Sequence, residues 1–255
     1  MNPALVSPII ILGCATILAL LEHRYPYDRG QRVLRDGFWS DFLGYAIVQS
    51  YVLGLVITSF ISWIDGVTGA SRFHVISSWP VWAQVALFVV THDFYIYWFH
   101  RTQHRVPLLW RIHEAHHSTP DVDWLSGARS HALEILVNQT IEFTPIFLLG
   151  AAPEVALYKG IISAVWGMYI HSNINVRSGW LQYVINGPEM HRWHHSAEEA
   201  DGGYNYSTKL AIWDWIFGTA RRPKDKPRAY GLSGVDFPKG FLRQQAAAFR
   251  RAIVP

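Results

Sequence analysis

Five apolar stretches, at 4–21, 42–64, 81–99, 132–151 and 155–170, limit what this chain can become. A helix needs about 20 mostly apolar residues to cross the hydrocarbon of a bilayer. Lipid admits only helices or closed barrels, because nothing else satisfies every backbone polar group. The second and third stretches have that length, and the first is slightly short. The fourth and fifth are less apolar and are parted only by Ala152-Pro153-Glu154, so they read as a helical hairpin that does not cross completely. Composition agrees: 16% of residues are charged, against about 25% in soluble domains. The 12 Trp, 12 Tyr and 13 Phe suit membrane interfaces. The net charge of +3 is not gathered on one basic stripe, so no nucleic-acid partner is expected. Cys14 stands alone, which excludes an internal disulfide. No basic residue precedes the first stretch and no small-x-small cleavage site stands out. Despite a loose lipoprotein-like Ile11-Leu-Gly-Cys14, it reads as a retained anchor.

Lys and Arg set the orientation of such a chain. Segment 22–41 holds Arg24, Arg29, Arg32 and Arg35, and segment 100–131 holds Arg101, Arg105, Arg111 and Arg129. Twelve basic residues follow Ile170, whereas 65–80 has only Arg72. The N-terminus is therefore expected outside, with 22–41, 100–131 and 171–255 in the cytoplasm.

Histidine is the outlier, 13 of 255 residues. Most lie in three clusters: His100-Arg-Thr-Gln-His104, His113-Glu-Ala-His116-His117 and His191-Arg-Trp-His194-His195. On a helix, spacings of three and four put the imidazoles of a cluster on one face. Imidazole is a common transition-metal ligand, and one metal takes about four protein ligands. Eight clustered imidazoles therefore imply two metals. Random placement gives H-x-x-H-H about 0.03 times in such a chain, and it occurs twice. The link from His104 to His113 is too short to cross a bilayer, and no further spanning run follows the third cluster. All three are expected to converge on the cytoplasmic side, with Trp213, Trp215 and Phe217, and a short amphipathic helix or solvated end at 241–251, resting near the interface.

The remaining histidines divide. His171, in His171-Ser-Asn173-Ile-Asn175, ends the fifth stretch and approaches the same surface as ligand, supporting residue or plain interfacial histidine. Asn175 is a further candidate for support. His131, in Arg129-Ser-His131-Ala-Leu-Glu134, stands between a site role and a structural one. His92 lies about 12 Å from His100 by helical rise, too far to share its metal. Asp93 is a candidate for orienting a ligand imidazole, or else for a buried helix–helix hydrogen bond. His23 and His74 read as loop histidines.

Two other chemistries compete. His113-Glu114-Ala-His116-His117 also reads as H-E-x-x-H, a zinc-protease motif with Glu114 as general base, but this leaves the first and third clusters without a task. A non-enzymatic metal transporter or haem carrier would place its ligands near the midplane or in facing pairs rather than triplets.

The order H-R-x-x-H, H-x-x-H-H, lone His, H-x-x-H-H resembles the fatty acid hydroxylase/sterol desaturase superfamily. Trp213-Asp-Trp-Ile-Phe-Gly218-Thr219 and Tyr230-Gly231-Leu232 resemble its C-terminal region. The likeness covers about residues 80–235. It implies that His100, His104, His113, His116, His117, His171, His191, His194 and His195 ligate two irons. It also implies use of O2, an external electron donor such as a separate reductase, and hydroxylation or desaturation of a lipid (sterol, acyl, ether-lipid or aminolipid). Some members carry a second His one turn before the lone one, where this chain has Gly167. The fold expected is an all-α membrane bundle of about four to five membrane helices, with a cytosolic helical cap holding a poly-His dimetal site. Residues 1–79 are expected to anchor it, 80–235 to form the catalytic region and 236–255 a tail, in a multi-pass protein of the bacterial inner membrane.

Overall fold

A computed structural model describes residues 3–199 and 203–250. All five apolar stretches are helices: α1 Pro3–Arg24, α2 Ser50–Thr68, α3 Val81–Gln103, α5 Ala132–Leu148 and α6 Pro153–His171. A π-helical segment, Ser40–Gln49, runs into α2. Shorter helices are α4 Pro107–His117, α7 Pro188–His194, α8 Ile212–Ile216 and α9 Phe241–Ala247. Among the described residues the β-type pairing is confined to two isolated bridges, Pro26 with Ile174 and Ser196 with Tyr230.

Among the described residues two helical spans are long and apolar enough to cross a membrane: Leu5–Arg24, of mean hydropathy 2.2, and Ser40–Thr68, of mean hydropathy 1.8. Only 11% and 17% of them are buried. The core helix of a soluble protein hides its apolar surface; these present it outward, as membrane-facing surfaces do. The first stretch is thus not short, since its helix continues to Arg24. The third has the length, 23 residues, but not the composition, because Gln84, His92 and Asp93 interrupt it and are buried against protein.

The helix order positions the site. α3, α5 and α6 pack on one another, with α1 outside α6 and α2 outside α5. At one end Ile76, Phe88, Ile146 and Val155 form an apolar core, and Gln84 accepts the N–H of Ala152 at the start of α6. The opposite end gathers the last turn of α3 (His100), the first turn of α5 (Glu134) and the last turn of α6 (His171). Proline opens α4, α6 and α7, where its missing N–H costs nothing and its fixed φ favours the helix. Both H-x-x-H-H motifs sit in the helix so started.

Buried ion pairs lock the polar segments over this end. Arg35 donates to both oxygens of Asp123, at 2.8 and 2.9 Å, and to Asp41 at 2.7 Å. Arg129 grips Asp41 with Nε at 2.9 Å and Nη2 at 3.0 Å. The C-terminal region folds back, and its helix α9, Phe241–Ala247, covers the first part of the expected 241–251. Phe241 packs edge-on against Tyr45, 4.9 Å between centroids, across Gly44, where a Cβ would come within 2.6 Å of its ring, while Leu242 and Phe249 stay exposed. Gln244 accepts from Tyr45. Residue 251, the end of that expected helix, lies outside the described residues. Trp213 and Phe217 pack on α3, against Phe94 and Tyr97, while Trp215 is exposed and donates to Gln182.

Candidate metal centre

The nine histidines converge in two groups. His100, His104, His113, His117 and His194 form one, and His116, His171, His191 and His195 the other, with the nitrogens of each group within 4.8 Å of one another. The first and last histidines of each H-x-x-H-H enter one group and the middle histidine crosses to the other. α4 thus sends His113 and His117 one way and His116 the opposite way. α7 and its cap do the reverse, with His191 and His195 in the second group and His194 in the first. The rings of His117 and His195 stack between the groups, 4.5 Å apart.

The outer nitrogens are held by acceptors. Nδ1 of His100 lies 2.7 Å from Tyr206 O, that of His116 3.0 Å from Arg129 O, that of His171 2.7 Å from Gly167 O and that of His194 2.8 Å from Tyr204 O. His113 Nδ1 lies 2.9 Å from Glu134 Oε1. A carbonyl can only accept, so Nδ1 carries the hydrogen and Nε2 is left with a lone pair. Burial and then the neighbouring imidazoles hold His113, His117, His191, His194 and His195 well below the ordinary 6.5, so these rings are neutral.

Those lone pairs face one another. His171 Nε2 lies 3.2 Å from His116 Nε2, 3.1 Å from His195 Nε2 and 2.9 Å from His191 Nε2. In the first group His104 and His194, and His113 and His117, approach to 3.2 Å. His116 and His171 have both committed their hydrogens to carbonyls, so no proton bridges them. Only a cation between them turns this repulsion into attraction. Metal–imidazole bonds of about 2.1 Å at right angles set two nitrogens about 3.0 Å apart, which matches the spacing. The residues fit a pair of metal ions.

The residues expected to support the ligands behave differently. Asp93 hydrogen-bonds none of these histidines. It accepts from Thr208 Oγ1, from the N–H groups of Lys209 and Leu210, and from Trp213 Nε1. It therefore steadies the loop whose Tyr204 and Tyr206 carbonyls hold His194 and His100. Asp214 fixes the same loop through the N–H groups of Tyr206 and Ser207. His131 caps α5, accepting from Leu133 N, with its other nitrogen 2.9 Å from Gln245 O. Asn175 pairs its N–H with Tyr25 O and lines a surface groove with Tyr27 and Lys226. His23, in the last turn of α1, and His74 are exposed. The orienting carboxylate that sequence reasoning missed is Glu134; its only signal was an acid opening an apolar stretch. Gly127 was missed as well. Its Cβ would lie 2.7 Å from His171 Nδ1.

Glu114 does not join either group. It is half-buried and interacts electrostatically with Arg111 and Arg250, and zinc proteolysis at His113 and His117 would leave His194 and the whole second group without a task.

Comparisons with known proteins agree with this arrangement. The fatty acid hydroxylase family model matches residues 85–219. Ornithine lipid hydroxylase OlsE of Rhizobium tropici is 32% identical over 251 residues, 95% of this chain and 75% of that protein. Alkylglycerol monooxygenase of Homo sapiens is 33% identical over 141 residues, 55% of this chain and 31% of that protein. Delta(7)-sterol 5(6)-desaturase erg3B of Aspergillus fumigatus is 29% identical over 170 residues, 64% of this chain and 48% of that protein. No solved structure matches. With the family model covering more than half of its length and spanning the first two histidine clusters, the lone histidine and the third, the chain belongs to the fatty acid hydroxylase/sterol desaturase superfamily of lipid-modifying oxidoreductases.

Proposed function

We propose that this protein is a multi-pass membrane oxygenase that hydroxylates a lipid with O2 at a pair of irons. The observation that carries this reading is the reciprocal crossing of the two H-x-x-H-H motifs, which builds two adjacent, nitrogen-only pockets of five and four imidazoles. His100, His104, His113, His117 and His194 would hold one ion, and His116, His171, His191 and His195 the other. Imidazole suits iron, zinc and copper alike. Zinc has no redox chemistry, and attack on an unactivated carbon requires it; the family likeness favours iron.

When bound, the iron pair supplies reductive activation of O2. The overall reaction is R–H + O2 + 2 electrons + 2 protons → R–OH + H2O. One oxygen atom enters the C–H bond and the other leaves as water. A separate reductase or electron carrier supplies the electrons, since the chain has no haem, flavin or nicotinamide motif. The protein's own part is to bind, orient and exclude water. Glu134 and four backbone carbonyls fix the imidazole rings. A cavity of about 210 Å³, lined by His100, His113, His116, His171 and His191, opens directly beside them. Hydroxylation is favoured over desaturation because the relative matched over 95% of this chain is, by name, a hydroxylase. Ornithine lipid and alkylglycerol, named for two relatives, point to a membrane lipid with a polar head as substrate. The histidines face the cytoplasm of a bacterial inner membrane, within reach of a soluble donor. In a Cys14-free chain, a cysteine at position 75 then labels from outside and one at position 120 does not.

The test is lipid mass spectrometry of a host expressing the wild-type chain or His195→Ala. A lipid heavier by one oxygen, present only with the wild type, is expected. Absence of any new lipid from a metal-loaded wild-type protein, with candidate lipids supplied, refutes the reading.

A further inference from the structure

The two imidazole groups differ in number and in what they face. The first has five histidines and the second four. Of the histidines lining the cavity beside them, His116, His171 and His191 come from the second group, and His100 and His113 from the first. His104, His117 and His194 of the first group take no part in that lining. Helix α6 gives the wall one stripe, Ser163, Trp166, Gly167, Ile170 and His171, at the spacings that share a helix face. Gly167 is the one member of the stripe without a side chain. Its carbonyl accepts from His171 Nδ1 at 2.7 Å, yet a Cβ built on it meets nothing within 4 Å. The cavity therefore has open space one helical turn before His171, a member of the second group. Among the lining's N–H groups buried without a partner among the described residues are Trp166 Nε1 and His191 Nδ1. His191 Nε2 faces those of His171 and His195, at 2.9 and 3.1 Å, so its hydrogen sits on Nδ1.

Metal sites that only hold structure are closed by protein ligands, and catalytic ones keep a position open. For the same ion, four imidazoles leave one more position free than five do. The second group also shows three of its four histidines to the cavity. A buried N–H without an acceptor costs free energy, and an electron-rich ligand in this space would offset that cost. We infer that the two metal sites are inequivalent: the four-histidine site takes a small electron-rich ligand from the cavity, such as azide, in the space beside Gly167, and the five-histidine site is closed by its own imidazoles. Gly167 acts by leaving room, and Trp166 donates a hydrogen bond to what enters. This deepens the oxygenase reading and rests on it.

Azide titration of the full chain, purified in detergent, loaded with cobalt(II) and followed in the visible spectrum, tests this. Azide should shift the bands of one cobalt and leave the other unchanged. Gly167→Leu fills the space and should keep both metals while azide binds about tenfold more weakly or not at all. Where Gly167→Leu loses metal, the smaller Gly167→Val takes its place. Trp166→Phe should weaken azide about fivefold, the worth of one hydrogen bond, at unchanged metal content. His194→Ala leaves the second group whole and should still respond to azide; His116→Ala breaks that group and should not. Wild-type azide affinity in Gly167→Leu overturns the inference, as does a response kept in His116→Ala and lost in His194→Ala. Unchanged affinity in Trp166→Phe overturns the hydrogen bond assigned to it. Metal content, measured on the same samples, separates the two claims. Two cobalts with no azide response sink this inference alone, and one cobalt or none in the fully loaded wild type sinks the metal pair of the oxygenase reading, whatever azide does.

Discussion

The carbonyl of Arg129 takes the Nδ1–H of His116 at 3.0 Å while Asp41 grips the guanidinium of the same residue. A ligand in the second group is therefore held through a residue anchored to the π-helical segment ahead of α2. Asp41 also faces Arg35, and all of these side chains are buried. Removing one partner of a buried pair costs about 3–5 kcal/mol, because the other charge is left uncompensated. Asp41→Asn is expected to lower the unfolding temperature and to lose metal first from the His116 group. Circular dichroism and metal analysis check this; unchanged metal content would mean that Arg129 does not position His116.

The crossing of the motifs makes a sharper prediction. His194→Ala removes an imidazole from the five-histidine group, and His116→Ala one from the four-histidine group. Each single variant should retain about one metal where the wild type is expected to hold two, and each should abolish lipid oxidation. The double variant should bind little metal. Glu114→Gln should oxidise lipid normally, since Glu114 belongs to neither group. An inactive Glu114→Gln with an active His194→Ala would revive the zinc-protease chemistry.

Much of this site was legible in the sequence, because metal ligands repeat at helical spacings. The nine histidines named from spacing and resemblance are the nine that converge. Their partition was not legible. A helical face places His113, His116 and His117 together, and only the fold, which packs α4 on α3 and brings His171 to His116 and His194 to His117, decides which nitrogen enters which group. The supporting residues were harder still. Asp93 looks like a second ligand shell when α3 is considered alone, but its partners lie 115 to 120 residues away in the chain. Glu134 looks like an ordinary acid in a first turn, until the fold sets it beside His113. The apolar stretches gave all five long helices, yet their hydropathy did not reveal that α3 buries polar side chains against protein.

Depressed histidine pKa values carry a signed consequence. In the unfolded chain the imidazoles of α4 and α7 take up protons as the pH falls through about 6.5, whereas in the fold they stay neutral. Protons then favour the unfolded state, so stability falls with pH below about 6.5 and is insensitive to these groups above it. Each such histidine contributes up to about 1.4 kcal/mol per pH unit. Metal competes for the same nitrogens. The metal-free protein should show a flat unfolding temperature from about pH 7.5 to 8.5 and a steep decline below about 6.5. The loaded protein should hold its value to lower pH. A metal-free protein as stable at pH 5 as at pH 8 would contradict the buried, neutral cluster.

Two glycines around His171 should respond in opposite ways. Gly127 sits in the turn at Ser126–Ala128, which Asp123 shapes by accepting the N–H groups of Leu125 and Ser126. A Cβ there would stand 2.7 Å from His171 Nδ1 and 3.0 Å from Gly167 O, inside the hydrogen bond that fixes the ring. Neither neighbour can yield easily, since one is a backbone atom and the other a buried ring held by its 2.7 Å hydrogen bond to Gly167 O. Gly167, on α6, meets nothing within 4 Å, and Ala is the better helix former by about 1 kcal/mol. Gly127→Ala is therefore expected to lose metal from the His116, His171, His191 and His195 group and to lose activity with it. Gly167→Ala should keep both metals and a wild-type or higher unfolding temperature. Metal analysis and thermal unfolding of the two variants side by side decide the matter. Full metal content in Gly127→Ala would show that His171 can move without consequence and is not a ligand.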